Sequence, residues 1–128
     1  MAAINLGAKP IFADVDINTG CINHLTIESL ITKKTKAISV VHLGGWPADM
    51  ENICKLAKNY QLYVIEDCSQ AHGAKIKVND EYRSVGSFGH LSCWSFCQDK
   101  IISTAGEGGM ITTNAVSYTH LRAHETPV

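Results

Sequence analysis

Residues 37–65 constrain the fold more than any other stretch, because they read as strand, helix and strand with almost no chain left for the links. Ala37-Ile38-Ser39-Val40-Val41-His42 is an apolar, β-branched run followed by a glycine-rich loop, Gly44-Gly45-Trp46-Pro47. Across 49–60, Met50, Ile53, Cys54, Ala57 and Tyr60 recur at three and four residues, while Glu51 and Lys55 make an outward i, i+4 pair. A second apolar run, 62–65, begins just beyond that helix. Elements linked this tightly form a βαβ unit, whose strands run parallel with a right-handed crossover.

The flanks extend the pattern. Residues 10–15 (Pro10-Ile11-Phe12-Ala13-Asp14-Val15) read as a strand before a turn at Asn18-Thr19-Gly20, and 25–31 as a short amphipathic helix with Leu25, Ile27, Leu30 and Ile31 inward. Lys75-Ile76-Lys77-Val78 and Tyr82-Arg83-Ser84-Val85 read as a surface hairpin turning through Asn79-Asp80-Glu81. A buried strand is expected at 91–96, and Gly106-Glu107-Gly108-Gly109 feeds another at 110–113. This order of elements predicts an α/β domain around a mostly parallel sheet.

Several function classes are disfavoured by composition. A formal net charge of −1 over 128 residues supplies no bulk basic surface for nucleic acid or an anionic membrane. The longest apolar runs fall well short of the roughly 20 residues that span a bilayer. Met1-Ala2-Ala3-Ile4 has neither the basic stretch nor the apolar core of a signal peptide. The five cysteines, Cys21, Cys54, Cys68, Cys93 and Cys97, lack framework spacing and are read as reduced thiols of a cytosolic protein. His90, Cys93 and Cys97 complete no metal-ligand set. If 91–97 is a strand, Cys93, Ser95 and Cys97 share a face and the cysteines are small core fillers, so no metal site is expected.

In a parallel sheet, ligands bind beyond the carboxyl ends of the strands. Three expected strands end at or near His42, Asp67 and Ser95, and Lys100 follows in the next loop. Alone, Asp67 would be a helix cap or a solvated strand end, and Lys100 a surface charge. Together, an acid and a lysine each just beyond a buried strand are the pair that pyridoxal phosphate (PLP) chemistry asks for. The lysine bonds the cofactor's aldehyde carbon, and the acid keeps the ring nitrogen protonated so that the ring accepts electrons.

The blocks that carry a wider resemblance are Gly7-Ala8-Lys9-Pro10, Val41-His42-Leu43 with Pro47-Ala48-Asp49-Met50, and Glu66-Asp67-Cys68-Ser69-Gln70-Ala71-His72-Gly73. They continue through Gly86-Ser87-Phe88-Gly89, Ser95-Phe96 with Lys100, and Gly106-Glu107-Gly108-Gly109. In this order and spacing they resemble the DegT/StrS-type PLP-dependent sugar aminotransferases. The resemblance implies the three-layer α/β large domain of fold type I, present here in part, across 1–114. It implies that Lys100 bonds the cofactor and later shuttles the proton, and that Asp67 pairs with the pyridinium nitrogen. Ser69 would pack under the ring, Gln70 would reach the phenolic oxygen, Ser95 would bind the phosphate, and His42 would border the ring and touch substrate. The Gly106-to-Gly109 turn would let the chain pass close to the cofactor, or simply be a tight loop before a strand. An amino donor, usually glutamate in this family, and a nucleotide-linked keto sugar would be the substrates of a cytoplasmic homodimer.

Two departures limit the resemblance. The family's upstream phosphate-binding turn, stacking aromatic residue and two sheet strands have no counterpart here, and one of those strands would lie between the strand near Phe12 and the strand near Val40. The match ends near Asn114, and 115–128 (with His120 and His124 at i, i+4) reads as a non-family tail joined to a gene fragment. Such a fragment would leave sheet edges and core faces uncovered. Two other readings stand beside the aminotransferase. One is the family's dehydratase branch, where histidine replaces the lysine and which Lys100 opposes. The other is a non-catalytic α/β binding module that retains these residues by descent.

Overall fold

The strand, helix and strand expected across 37–65 are present in a computed structural model, which describes residues 2–114. In chain order its elements are α1 (Ala2–Asn5), α2 (His24–Glu28), β1 (Ala37–Val41), a 3-10 turn (Leu43–Gly45), α3 (Met50–Asn59), β2 (Tyr63–Asp67), β3 (Lys75–Val78), β4 (Glu81–Ser84), β5 (Leu91–Ser95) and β6 (Gly109–Thr113). The expected tail, 115–128, lies outside the described residues, as do His120 and His124.

Asp49 caps α3, its carboxylate accepting from the Asn52 amide, and Glu51 in the first turn and Lys58 in the last suit the helix dipole. Gln61, at a left-handed φ of 55°, turns the chain out of the helix and straight into β2. Met50, Ile53, Leu56 and Ala57 of α3 are buried against Ile38 and Val40 of β1 and Val64 of β2. Leu56, rather than Tyr60, completes the inward face. Tyr60 falls at the C-cap and is exposed, its hydroxyl donating to Glu28 at 3.0 Å. Glu51 and Lys55 pair on the outer face at 2.7 Å.

β1 and β2 run parallel, with Val40 opposite Glu66 and Val41 opposite Asp67. β5 joins β2 in parallel, with Asp67 opposite Cys93, and β6 closes the sheet antiparallel to β5, with Ser95 opposite Gly109. The sheet order β1-β2-β5-β6 is therefore mostly parallel, as expected. The separate β3–β4 hairpin turns through Asn79 and Asp80, both at positive φ, the signature of a two-residue turn that matches strand twist. Its Ile76 packs on both core clusters, the main one under α3 and a smaller one of Cys68, Ala71 and Val85.

Three expectations are corrected. Residues 10–15 do not form a strand; only Val15 makes an isolated bridge, to Ile22, and Phe12 is 88% exposed. A strand exists only where a neighbour pairs with its ladder, and no described strand lies beside this segment. The helix expected over 25–31 is shorter: Asn23 caps it by accepting from the Leu25 and Thr26 amides, and after Glu28 the bonds tighten to i+3 turns (Leu30 to Ile27, Ile31 to Glu28). Cys93 and Cys97 are half-buried rather than core fillers. Cys93 sits on the open sheet face, and Cys97 lies past β5 with its thiol donating to Glu107. Consistent with a domain present only in part, the described residues supply a helical layer on one face of the sheet. On the other, Val41, Tyr63 (63% exposed) and Ile111 (70% exposed) face outward, and α1 joins neither core cluster.

Candidate active site

Side chains alternate along each strand, and the alternation sorts the expected site residues onto two faces. Ile38, Val40 and His42 point with Val64 and Glu66 toward α3. Asp67 points the other way, with its partner Cys93 and, two residues further on, Ser95. Asp67 and Ser95 thus stand on neighbouring parallel strands, on one face, at one carboxyl edge. The Gly106-to-Gly109 turn enters β6 at the same edge, with Gly109 opposite Ser95.

Each of these residues is held in a way that leaves a polar atom for a ligand. Asp67 Oδ1 accepts from the Ser69 amide at 3.0 Å, the Asx turn that ends β2, and Oδ2 has no hydrogen bond among the described residues. The Asp67 carbonyl accepts from the His42 amide at 3.2 Å, which ties the two strand ends together. Gln70 is exposed, and its Oε1 accepts from the Gly44 amide at 2.8 Å. That bond assigns the side-chain oxygen and turns the NH₂ group outward as a donor. Gly44 reaches this position at a φ of 59° inside the 3-10 turn, a conformation that favours glycine. Ser95 Oγ accepts a long 3.4 Å bond from the Cys97 amide. Lys100 sits on the loop that leaves this edge. Its amide donates to the Cys97 carbonyl at 3.0 Å, and the loop is closed by Thr104, whose amide and hydroxyl both reach the Phe96 carbonyl. The Lys100 side chain is mostly covered, and its Nζ lies 3.8 Å from Asp99 Oδ1, too long for a strong pair.

His42 is not brought into this set. Its side chain is fully buried on the α3 face, opposite that of Asp67, and both ring nitrogens are engaged. Nδ1 accepts from the Ala48 amide at 3.1 Å, so the proton is on Nε2, which donates to Glu66 Oε2 at 3.1 Å. Ala71 and the ring of His72 likewise turn inward, the latter against Trp94 and Phe96.

The sequence offers Glu66 only as part of a motif, yet it is the most heavily bonded side chain of the region. Oε1 accepts from the amides of Phe88 (2.8 Å) and Gly89 (2.5 Å), and Oε2 accepts from the Gly86 amide (2.8 Å) and from His42. The signal was available, because Glu66 follows Val64 at strand spacing and so faces the core. Burial pushes its pKa up, but the hydrogen bonds from His42 and the amides of Gly89, Gly86 and Phe88 outweigh this and hold it below the ordinary value. Cys68 is pushed up to about 12 by burial and by the charges of Glu66 and Asp67. His42, Glu66 and Cys68 place possible ligand atoms within 4.8 Å of one another. Hydrogen bonds already satisfy the imidazole and both carboxylate oxygens, so the cluster is complete without an ion. A groove lined by Asp16, His24, Trp46, Pro47, Asp49 and Ile76 lies elsewhere and contains none of the expected site residues.

Residues 1–121 match the DegT/DnrJ/EryC1/StrS aminotransferase family. The chain is 52% identical over 108 residues to the GDP-perosamine synthase of Escherichia coli O157:H7, covering 84% of this chain and 28% of that protein. It is 47% identical over 112 residues to a UDP-N-acetyl-3-dehydro-alpha-D-glucosamine 3-aminotransferase of Acidithiobacillus ferrooxidans, covering 88% and 29%. The crystal structure of an aminotransferase from Psychrobacter cryohalolentis superposes with a TM-score of 0.84 at 57% identity, over 89% of this chain and 28% of that one. The chain spans less than a third of the length of the curated relatives it matches.

Proposed function

The chain belongs to the DegT/DnrJ/EryC1/StrS aminotransferase family, and from that premise we propose that it forms part of a PLP-dependent aminotransferase acting on a nucleotide-linked keto sugar. Its share of the cofactor site is Lys100, Asp67, Ser69, Gln70 and Ser95. One observation carries this reading: Asp67 and Ser95 stand on adjacent parallel strands, on one face and at one edge, with Lys100 on the loop that leaves it.

The donor set fits the cofactor. When bound, PLP supplies an aldehyde carbon that amines can occupy in turn and a ring that withdraws electrons. Asp67 keeps Oδ2 for a protonated ring nitrogen while Oδ1 stays with Ser69. Gln70 offers N–H to a phenolic oxygen because Gly44 has taken its carbonyl. Ser95 Oγ has a hydroxyl proton to give to a phosphate. Lys100 Nζ attacks carbon only when unprotonated, and on its release it can carry a proton. His42 supports the site from beneath.

The relatives' names support the substrate class, one naming a dehydro sugar joined to UDP and the other a GDP-linked product. The amino donor is read as glutamate, and the full-length enzyme as a cytoplasmic homodimer. Among the described residues, no helix is long and apolar enough to cross a membrane.

Titrating the chain with PLP and following its absorbance tests the proposal. A saturable band from the lysine adduct should form, vanish in Lys100→Ala, and persist with altered position or affinity in Asp67→Asn. Equal bands in all three proteins would mean that the cofactor is not held at this edge.

A further inference from the structure

The cofactor-facing edge rests on Glu66, which points away from it. Four N–H donors converge on this fully buried carboxylate, two on each oxygen, and none belongs to a charged side chain. His42 is neutral because its Nδ1 accepts from Ala48. Gly89 lets the loop come this close: a Cβ there would lie 2.9 Å from the Val64 carbonyl and 3.3 Å from Glu66 Oε1. The links then run to the site. His42, bound to Glu66 through its ring, gives its amide to the carbonyl of Asp67 (3.2 Å), and Gly44, two residues on, holds Gln70 (2.8 Å).

We propose that Glu66 is a positioning residue for the cofactor site, clamping the end of β2 to the 86–89 loop and the 42–48 turn and so fixing where Asp67 and Gln70 stand. The proposal rests on reading those two residues as cofactor ligands. It needs a carboxylate in particular. In Glu66→Gln, whichever way the amide turns, its NH₂ faces two donors. His42 cannot relieve the clash by moving its proton, because Nδ1 already faces the Ala48 N–H.

The test uses the ¹⁵N-labelled 128-residue chain. Without cofactor, Glu66→Gln should shift the amide signals of Asp67, Ser69, Gly44 and the Gln70 side chain, as well as those of Gly86, Phe88 and Gly89. Ile53→Val, a core change under α3, should lower the melting temperature and leave those of Asp67, Ser69, Gly44 and Gln70 in place. Ser92→Ala removes the 2.7 Å bond from Ser92 Oγ to the Gly86 carbonyl, loosens the same loop, and should give a smaller version of the Glu66→Gln pattern. It carries the test if Glu66→Gln does not fold. With PLP present, Glu66→Gln should bind about tenfold more weakly at Lys100, the scale of one lost charge-assisted hydrogen bond. A folded Glu66→Gln with the Asp67, Ser69, Gly44 and Gln70 signals unmoved would overturn the proposal, as would a Ser92→Ala whose shifts stop at the loop. If PLP labels another lysine in the unmutated chain, the cofactor reading fails, while the amide shifts still decide the role of Glu66.

Discussion

Glu66 carries a buried negative charge whose hydrogen-bond donors among the described residues include no cationic side chain, so its stability contribution depends on staying ionised. Its folded-state pKa is depressed. The contribution is therefore fully present above the unfolded carboxyl pKa of about 4.3 and is lost as pH falls through the folded value. Thermal melts from pH 7 downward should show an acid limb below about pH 4.3 that is shallower in Glu66→Gln. An unchanged limb would mean that other carboxyls govern acid unfolding. The same charge acts on its neighbour Cys68, whose pKa of about 12 leaves it a thiol throughout the neutral range. Brief alkylation of the native chain at pH 8 should modify Cys93 or Cys97 and spare Cys68, with Cys68 labelled only after denaturation. Early modification of Cys68 would show that the clamp opens readily.

Elements differ in how far the sequence reveals them, and the difference follows from where their stabilising contacts lie. β1, α3 and β2 were legible because Ile38, Val40, Ile53, Ala57 and Val64 repeat at the periods of their own elements and pack on one another. The β3–β4 hairpin was legible because Asn79 and Asp80 tolerate the positive φ that its turn requires. Residues 10–15 were not, since β-branched composition says nothing about whether a pairing strand stands alongside. In the site, Asp67, Ser95 and Lys100 could be placed at one edge from strand ends alone. His42 ends a strand too, but parity puts it on the opposite face, as it does Glu66. α3 itself should respond as an ordinary capped, buried helix. Asp49→Ala should cost about 1 kcal/mol by removing the N-cap, and Ile53→Ala about 2–5 kcal/mol, both read by urea unfolding. A larger loss from Asp49→Ala than from Ile53→Ala would mean that Asp49 does more than cap, for instance through its 3.4 Å approach to His24.

At the scale of the whole molecule, the described residues leave the sheet half-dressed. α3 covers one face, while Val41, Tyr63 and Ile111 stand exposed on the other, with Ile101, Ile102 and Met110 also exposed on and before β6. An apolar surface of this kind binds dyes and partners. The isolated chain should enhance anilinonaphthalene sulfonate fluorescence in its native state, and Ile111→Lys should reduce the signal; a dye-silent native chain would mean that this face is covered in solution. The face also bears Asp67 and Ser95, so under the proposed site assignment whatever covers it in a longer protein would enclose the cofactor. The 128-residue chain is accordingly expected to turn over nucleotide-linked keto sugars negligibly, whatever its affinity for PLP. The claim on which everything else depends is that Lys100 is the lysine this edge presents to the cofactor. Reduction of the PLP-treated chain with borohydride, followed by peptide mapping, tests it most directly. The account predicts a phosphopyridoxyl group on Lys100, lost in Lys100→Ala; a dominant label on Lys55, Lys75 or any other lysine would contradict it.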